Sequence, residues 1–182
     1  MILSDQIQYC SHCGASVSVI IPQGDNRPRH VCDACGTIHY ENPKVVAGCI
    51  PVYEDKILLC RRAIEPRRGY WTLPAGFMEN GETLEQGARR ETFEEACAEL
   101  QDVHLYAIYS LPRINQIYVM FRGSLIAETG FGIGEESLDA QLFEERNIPW
   151  DDIAFRVVHL TLNRYLKERV TGLFTHSNEI ID

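Results

Sequence analysis

The densest apolar stretch of this chain, Val45-Val46-Ala47-Gly48-Cys49-Ile50-Pro51-Val52, is strongly β-prone and predicts a strand. The turn Tyr53-Glu54-Asp55-Lys56 leads into a second strand over 57–61. A loop rich in Arg, Pro and Gly follows, then a short strand at Trp71-Thr72-Leu73 that Pro74 ends. The pattern then changes to helical spacing. Thr83 and Gln86 form a capping-box pair at the start of a helix predicted over about 83–100. Two further strands are predicted at 103–110 and 116–126, and the three glycines of 129–135 predict a mobile loop. An apolar stretch at 138–143 and a C-terminal helix over about 153–170 complete this part. Residues 1–41 read differently, with little helical periodicity and one apolar run at 17–21 that suits a hairpin strand. The chain therefore divides into a small module, 1–41, and an α/β domain, 42–182.

At 182 residues and 45% apolar, the chain is large enough for one packed domain of about 140 residues plus a small module. It has no apolar run near the roughly 20 residues of a membrane span, and its N-terminus lacks the basic start and apolar stretch of a secretory signal. A soluble cytoplasmic protein without a membrane partner is predicted. The net charge of -9, 17 basic against 26 acidic residues, argues against charge-driven nucleic acid binding. A small phosphate-bearing substrate stays open, because local charge and bound metal decide that case.

Seven cysteines stand at 10, 13, 32, 35, 49, 60 and 97. An odd count, with four of them in two C-x-x-C pairs, fits a reduced compartment with one metal site rather than a disulfide framework. Cys10, Cys13, Cys32 and Cys35 have the spacing of a four-thiolate zinc ribbon, and each pair is followed by glycine, Gly14 or Gly36. Four thiolates close a tetrahedron, so the Zn2+ is structural and His12, His30 and His39 are bystanders. Metal binding would supply folding free energy to a segment too short for a large core.

The predicted helix from Thr83 carries the catalytic candidates. Glu91, Glu94 and Glu95 fall within about a 100° arc, with Phe93, Ala96, Cys97 and Leu100 on the side expected to pack on the sheet. Like charges at i, i+4, Glu91 with Glu95 and Glu95 with Glu99, cost about 0.2–0.5 kcal/mol per pair in a solvated helix. A divalent cation held by hard oxygen ligands would offset that cost. Gly87, on the same face, would let the backbone of the loop Leu73-Pro74-Ala75-Gly76-Phe77-Met78-Glu79-Asn80-Gly81-Glu82 approach closely.

Gly76, Glu82, Arg90, Glu91, Glu94 and Glu95 stand at the spacing of the box G-x5-E-x7-R-E-U-x-E-E-x-G-U, and over 76–98 the sequence resembles the Nudix hydrolases. Thr92, Cys97 and Ala98 depart from the pattern, and none of the three removes a carboxylate. The resemblance implies an α/β/α sandwich around a mixed sheet, preceded by the zinc ribbon. It assigns Glu91, Glu94 and Glu95, with the Gly76 carbonyl, to Mg2+ or Mn2+, gives Arg90 the task of orienting the glutamates, and implies a homodimer. A ribbon ahead of the box resembles the NADH pyrophosphatase branch. The branch's S-Q-P-W-P-F-P-x-S motif is replaced here by Ser110-Leu111-Pro112-Arg113-Ile114-Asn115-Gln116-Ile117-Tyr118. Glu136 opens a stretch similar to the branch's E-I-x-x-A-R-W-F segment, which implies a role for it in metal binding or catalysis.

The stretches Ile38-His39-Tyr40, Asn42-Pro43-Lys44, Leu59 through Arg67, Trp71 through Thr83, Asn115-Gln116 with Tyr118, and Ile148-Pro149-Trp150 resemble a zinc-ribbon Nudix group that includes a plant chloroplast FAD pyrophosphatase. That group implies a small nucleotide substrate, ADP-ribose or FAD, cleaved at its diphosphate with release of AMP. Arg61, Arg62, Arg67 and Arg68 are candidates for the phosphates, and Gln116 and Tyr118 for the rest of the substrate. Phe121 is a further candidate for stacking on a base. NADH or capped-RNA hydrolysis is the alternative within the fold. A regulator that binds nucleic acid or protein through the ribbon is the alternative outside enzymes.

Overall fold

A computed structural model of the chain describes residues 7–182, which form two compact units divided between Asn42 and Pro43. The first unit is a three-stranded antiparallel sheet of β1 (Val17–Ile20), β2 (Arg29–Cys32) and β3 (Ile38–His39), in that order. Gly14 and Gly36 take φ of +75° and +71°, where each knuckle turns back after its second cysteine.

The second unit is built on a mixed sheet. Its strands are β4 (Lys44–Tyr53), β5 (Lys56–Arg62), β6 (Trp71–Thr72), β7 (Ala75–Phe77), β8 (Leu100–Leu111), β9 (Gln116–Leu125), β10 (Ser137–Phe143) and β11 (Ser177–Ile180). They run in the order β10-β5-β4-β9-β8-β11, with β6 on β5 and β7 on β4. β4 pairs with β9, and β8 with β11, in parallel; the other pairings are antiparallel.

Successive residues of each central strand feed opposite cores, as the two-residue strand period requires. Ile50, Ile57, Leu59 and Met120 pack with Val157, Val158, Leu162, Tyr165 and Leu166 of helix α2 (Arg156–Arg169). Cys49, Leu58, Cys60, Val119 and Phe121 pack with Ala88 and Ala96 of helix α1 (Leu84–Ala96). One helix on each core gives the α/β/α arrangement of a mixed sheet. Phe121 is 6% exposed in the α1 core, so it is core and not a base-stacking residue.

Thr83 and Gln86 do close a capping box at the start of α1, with the Gln86 N–H donating to Thr83 Oγ1 (3.2 Å) and the Thr83 N–H to Gln86 Oε1 (2.8 Å). The helix stops at Ala96 rather than running to residue 100. Cys97 takes the left-handed conformation (φ 48°, ψ 30°), and its N–H donates to the Phe93 carbonyl. Glu99 therefore lies beyond the helix, and no Glu95–Glu99 helical pair forms. At the other helix, residues 153–155 are extended ahead of α2: Ile153 bridges to Trp71, and the Ala154 N–H donates to the Trp71 carbonyl (2.8 Å). Strand β11, Ser-Asn-Glu-Ile, has no apolar alternation of its own and is ordered by the edge of β8.

Leu162 is fully buried where α2 meets the sheet. Leu162→Ala is expected to lower the unfolding free energy by about 2–5 kcal/mol. Leu173→Ala, at a side chain 73% exposed, should change it by less than about 0.5 kcal/mol. Denaturant titration of both variants checks the contrast.

Candidate active site

Six residues of α1 face inward: Gly87, Ala88, Glu91, Thr92, Glu95 and Ala96. The helix thus turns two glutamates toward the protein and leaves Phe93, expected to pack on the sheet, 55% exposed. Space at β7 permits this. The Glu91 carboxylate occupies the volume that a side chain on Gly76 would fill. Gly87 is small for a related reason, with an added Cβ lying 2.9 Å from Glu82 Oε1 and 3.2 Å from Ala47 Cβ. What approaches Gly87 is therefore a carboxylate and strand β4, not a loop backbone.

Arg90 organises these acids. Its Nε and Nη2 donate to the two oxygens of Glu82 (3.0 and 2.8 Å), and its Nη1 donates to Glu91 (2.6 Å) and Glu94 (2.9 Å). A further bond runs from Nη2 to the Phe77 carbonyl (3.0 Å). The Arg90 guanidinium, helped by the Glu79 N–H, holds the Glu82 carboxyl down to about 2. Burial pushes Glu91 the other way, above the ordinary carboxylate range, although Arg90 opposes it. Glu95 is pushed up to about 8 by burial first and then by the Glu91 charge, with Arg62 opposing and Glu136 adding to the rise. Two buried carboxylates with too little positive charge around them are a donor set for a hard divalent cation, so the residues fit Mg2+ or Mn2+.

The glycine loop at 129–135, expected to be mobile, is pinned to the end of α1. The Gly132 N–H donates to the Ala96 carbonyl (2.7 Å) and the Gly134 N–H to the Glu95 carbonyl (3.1 Å). Gly134 lies so close to the backbone of Glu94 and Glu95 that no side chain fits there. Just beyond, the Glu136 carbonyl accepts from the Ala63 N–H (2.7 Å), which fixes Glu136 beside the helix carboxylates.

These elements enclose a cleft of about 840 Å3. Gly76, Arg90, Glu91, Glu94, Glu95, Glu136, Arg62, Gln116 and Tyr118 all line it. Arg61, Arg67 and Arg68 do not. Arg61 Nε donates to the Gly69 carbonyl (2.8 Å), and Arg67 lies over the Tyr70 ring (5.3 Å), so both shape their own loop. Sequence reasoning missed Phe77, Phe93, Ile133 and Phe155 as lining residues. Phe155 is expected inside the C-terminal helix over about 153–170 and instead precedes α2 as extended backbone, where a ring can overhang a neighbouring strand. It does so here, with the Arg62 guanidinium 5.0 Å from its ring centre.

The thiols of Cys10, Cys13, Cys32 and Cys35 lie within 4.8 Å of one another. Cys10 and Cys35 are 3.8 Å apart at sulfur, and Cys13 and Cys32 3.4 Å. Sulfurs about 2.3 Å from a tetrahedral zinc would stand about 3.8 Å apart, so the cluster has the size of that site. The Thr37 hydroxyl and N–H hold Cys35 down to about 6, and the N–H groups of Cys35 and Ala34 lower Cys32, whereas Cys13 is pushed up to about 12, the Ala15 N–H opposing the neighbouring thiols of Cys32 and Cys35. His30 instead pairs with Glu41 at 3.3 Å, outside the cluster.

A family model for the Nudix N-terminal zinc ribbon matches residues 8–41, and one for the NUDIX domain matches residues 42–160. An ADP-ribose pyrophosphatase of Methanocaldococcus jannaschii is 32% identical over 114 residues, covering 60% of this chain and 67% of that protein. The NAD-capped RNA hydrolase NudC of Chromobacterium violaceum is 30% identical over 115 residues, covering 63% of this chain and 41% of that protein. The chain thus spans well under half the length of that second relative. The crystal structure of a NUDIX hydrolase from Nitrosomonas europaea superposes with a TM-score of 0.92 at 56% identity, covering 96% of this chain and 99% of that one.

Replacing Cys32 with Ser is expected to bring zinc below one per chain and to lower the melting temperature, measured by metal analysis and calorimetry. Full zinc with unchanged melting would remove the site. For Glu82, whose folded pKa lies below its unfolded value near 4.5, the linked stability is present above that value and is lost as the pH falls toward about 2. Glu82→Gln should therefore melt lower at pH 7 and show a shallower fall in melting temperature across the acid limb than the native protein.

Proposed function

This chain belongs to the Nudix hydrolase family, and we propose that it hydrolyses the diphosphate bond of a nucleoside diphosphate derivative, ADP-ribose or FAD, releasing AMP. The observation that carries the reading is the pair of buried carboxylates, Glu91 and Glu95, turned with Glu136 into a cleft that also holds Arg62. Acids brought together at that cost, with the remaining walls largely apolar, suit a substrate that is anionic in the middle and organic at both ends.

Glu91, Glu94 and Glu95, with the Gly76 carbonyl, would hold Mg2+ or Mn2+. When bound, the cation offsets charge on the diphosphate oxygens and lowers the pKa of the attacking water. The remaining work falls to the protein. Arg90 keeps the glutamates aimed through its bonds to Glu82, Glu91 and Glu94. Arg62, reaching the cleft from β5, pairs with a phosphate oxygen. Glu136, on the pinned loop, takes the proton from the water as it attacks. Gln116 and Tyr118 contact the nucleoside from β9. Water oxygen bonds to one phosphorus, the bridging P–O bond breaks, and ADP-ribose yields AMP and ribose 5-phosphate, while FAD yields AMP and FMN. The ribbon, 1–41, serves as a zinc-stabilised module ahead of the hydrolase domain, 42–182, and family likeness supports a homodimer.

Hydrolysis of NADH or NAD-capped RNA is the second reading, favoured by the NudC relatives. Against it, the segment at 110–118 carries a short turn at Pro112–Ile114 and a left-handed Asn115 in place of the motif that marks that branch.

Glu95→Gln is expected to lower kcat for ADP-ribose and FAD by about 100-fold, roughly 2.7 kcal/mol of transition-state stabilisation. Turnover is followed by AMP release in Mg2+, with an EDTA control. Near-normal turnover in the variant, or undiminished turnover in EDTA, would overturn the assignment.

A further inference from the structure

Of the arginines at 61, 62, 67 and 68, only Arg62 lines the cleft, and its side chain is held at two points. Its Nε donates to the Pro66 carbonyl (2.9 Å), and its guanidinium carbon lies 5.0 Å from the centre of the Phe155 ring. Among the described residues it forms no ion pair, and neither Nη group has a hydrogen-bond partner. An arginine sharing a partly dry cleft with Glu95 and Glu136 would ordinarily close on a carboxylate. The Arg62 charge does reach the acids, since it opposes the rise at Glu95, yet the side chain stops short of contact.

The frame behind this pair is short and rigid. The Arg62 N–H donates to the Tyr70 carbonyl (2.9 Å), and the Ala154 N–H donates to the carbonyl of the next residue, Trp71 (2.8 Å). Ile153 also bridges to Trp71. Arg62 and Phe155 therefore hang from one piece of backbone, although they are far apart in the chain. Phe155 itself is extended (φ −132°, ψ 142°) at the entry to α2, and its half-buried ring packs on the α2 core. The ring thus stays in place when the guanidinium moves.

A ring face attracts a cation without taking up its N–H donors, whereas a carboxylate takes them. Fixing one rotamer of a long side chain before substrate arrives lowers the cost of binding. An arginine locked onto Glu95 or Glu136 would also neutralise acids that the cation and the attacking water need. We propose that Phe155 is a positioning residue: its ring holds the Arg62 guanidinium off the carboxylate cluster, with both Nη groups left for the diphosphate. The proposal rests on the diphosphate-hydrolase reading above and adds to it a residue that acts through Arg62.

Phe155→Leu keeps an apolar group on the α2 core and removes the ring face. It should raise KM for ADP-ribose about tenfold with kcat changed less than about twofold, as for loss of uniform binding. Phe155→Tyr, which keeps the ring, should retain the native KM. In an Arg62→Ala background Phe155→Leu should alter KM by less than about twofold, because the ring then has nothing to hold. Equal effects of Phe155→Leu with and without Arg62, or an equal loss in Phe155→Tyr, would overturn the proposal and leave Phe155 a packing residue. The heteronuclear NOE of the Arg62 Nε–H reads the same contact without turnover. The group should be rigid in the native protein and in Phe155→Tyr, and loose in Phe155→Leu. A group loose in the native protein, or equally rigid in Phe155→Leu, would also overturn the proposal. Failure of the native protein to hydrolyse ADP-ribose or FAD would instead sink the diphosphate-hydrolase reading, while the Arg62 signal still decides whether the ring holds it.

Discussion

The guanidinium of Arg90 is the point on which the catalytic end of this molecule depends. Five hydrogen bonds from one side chain reach Glu82, Glu91, Glu94 and the Phe77 carbonyl, tying the strand and loop ahead of α1 to the helix itself. Without it, Glu82, Glu91 and Glu94 would repel one another across a partly dry cleft, and the carbonyl would lose its donor. Lysine could not replace it, because a compact ammonium lacks the planar fork that engages both oxygens of Glu82 while also reaching Glu91 and Glu94. The arrangement neutralises only part of the acid. Glu82 stays ionised against Arg90, while the deeper Glu95 is left in want of positive charge. Stability and the capacity to take up a cation are thus divided among neighbouring carboxylates by their distance from one arginine.

The end of α1 matters nearly as much. Cys97 adopts a left-handed conformation at a position where the family box has glycine, and the helix stops there. That exposes the last carbonyls, which the Gly132 and Gly134 amides then satisfy. A helix end that needs donors and a glycine loop that supplies them fix Glu136 and Ile133 in the cleft by a single device. Glycine serves the loop here by its lack of volume, since any side chain at 134 would collide with the helix backbone.

The ribbon follows a simpler logic. Its three short strands bury little, and among the described residues its buried hydrophobic positions are the cysteines Cys10 and Cys32. Cohesion comes from four thiols drawn to the spacing of a tetrahedral ion, with N–H and hydroxyl donors favouring the charged sulfur at Cys32 and Cys35.

By itself the sequence determined what depends on local spacing. The order and rough extent of the main strands, the capping box at Thr83, the pairing of four cysteines and the register of Arg90, Glu91, Glu94 and Glu95 are all contained in it. Each is set by short-range geometry, whether a strand period, a helix turn or the bite of a metal. Only the tertiary structure decided which face of α1 is covered. Periodicity weighs apolar against polar and so favoured burying Phe93, whereas a glycine strand and an arginine fork made room for Glu91 and Glu95 instead. The same limit hid the pinning of the loop at 129–135, the parallel edge strand β11 and the separation of Arg62 from Arg61, Arg67 and Arg68. Each of these turns on a partner far away in the chain, where hydrogen bonds between distant backbones and the volume left by a missing side chain outweigh local preference.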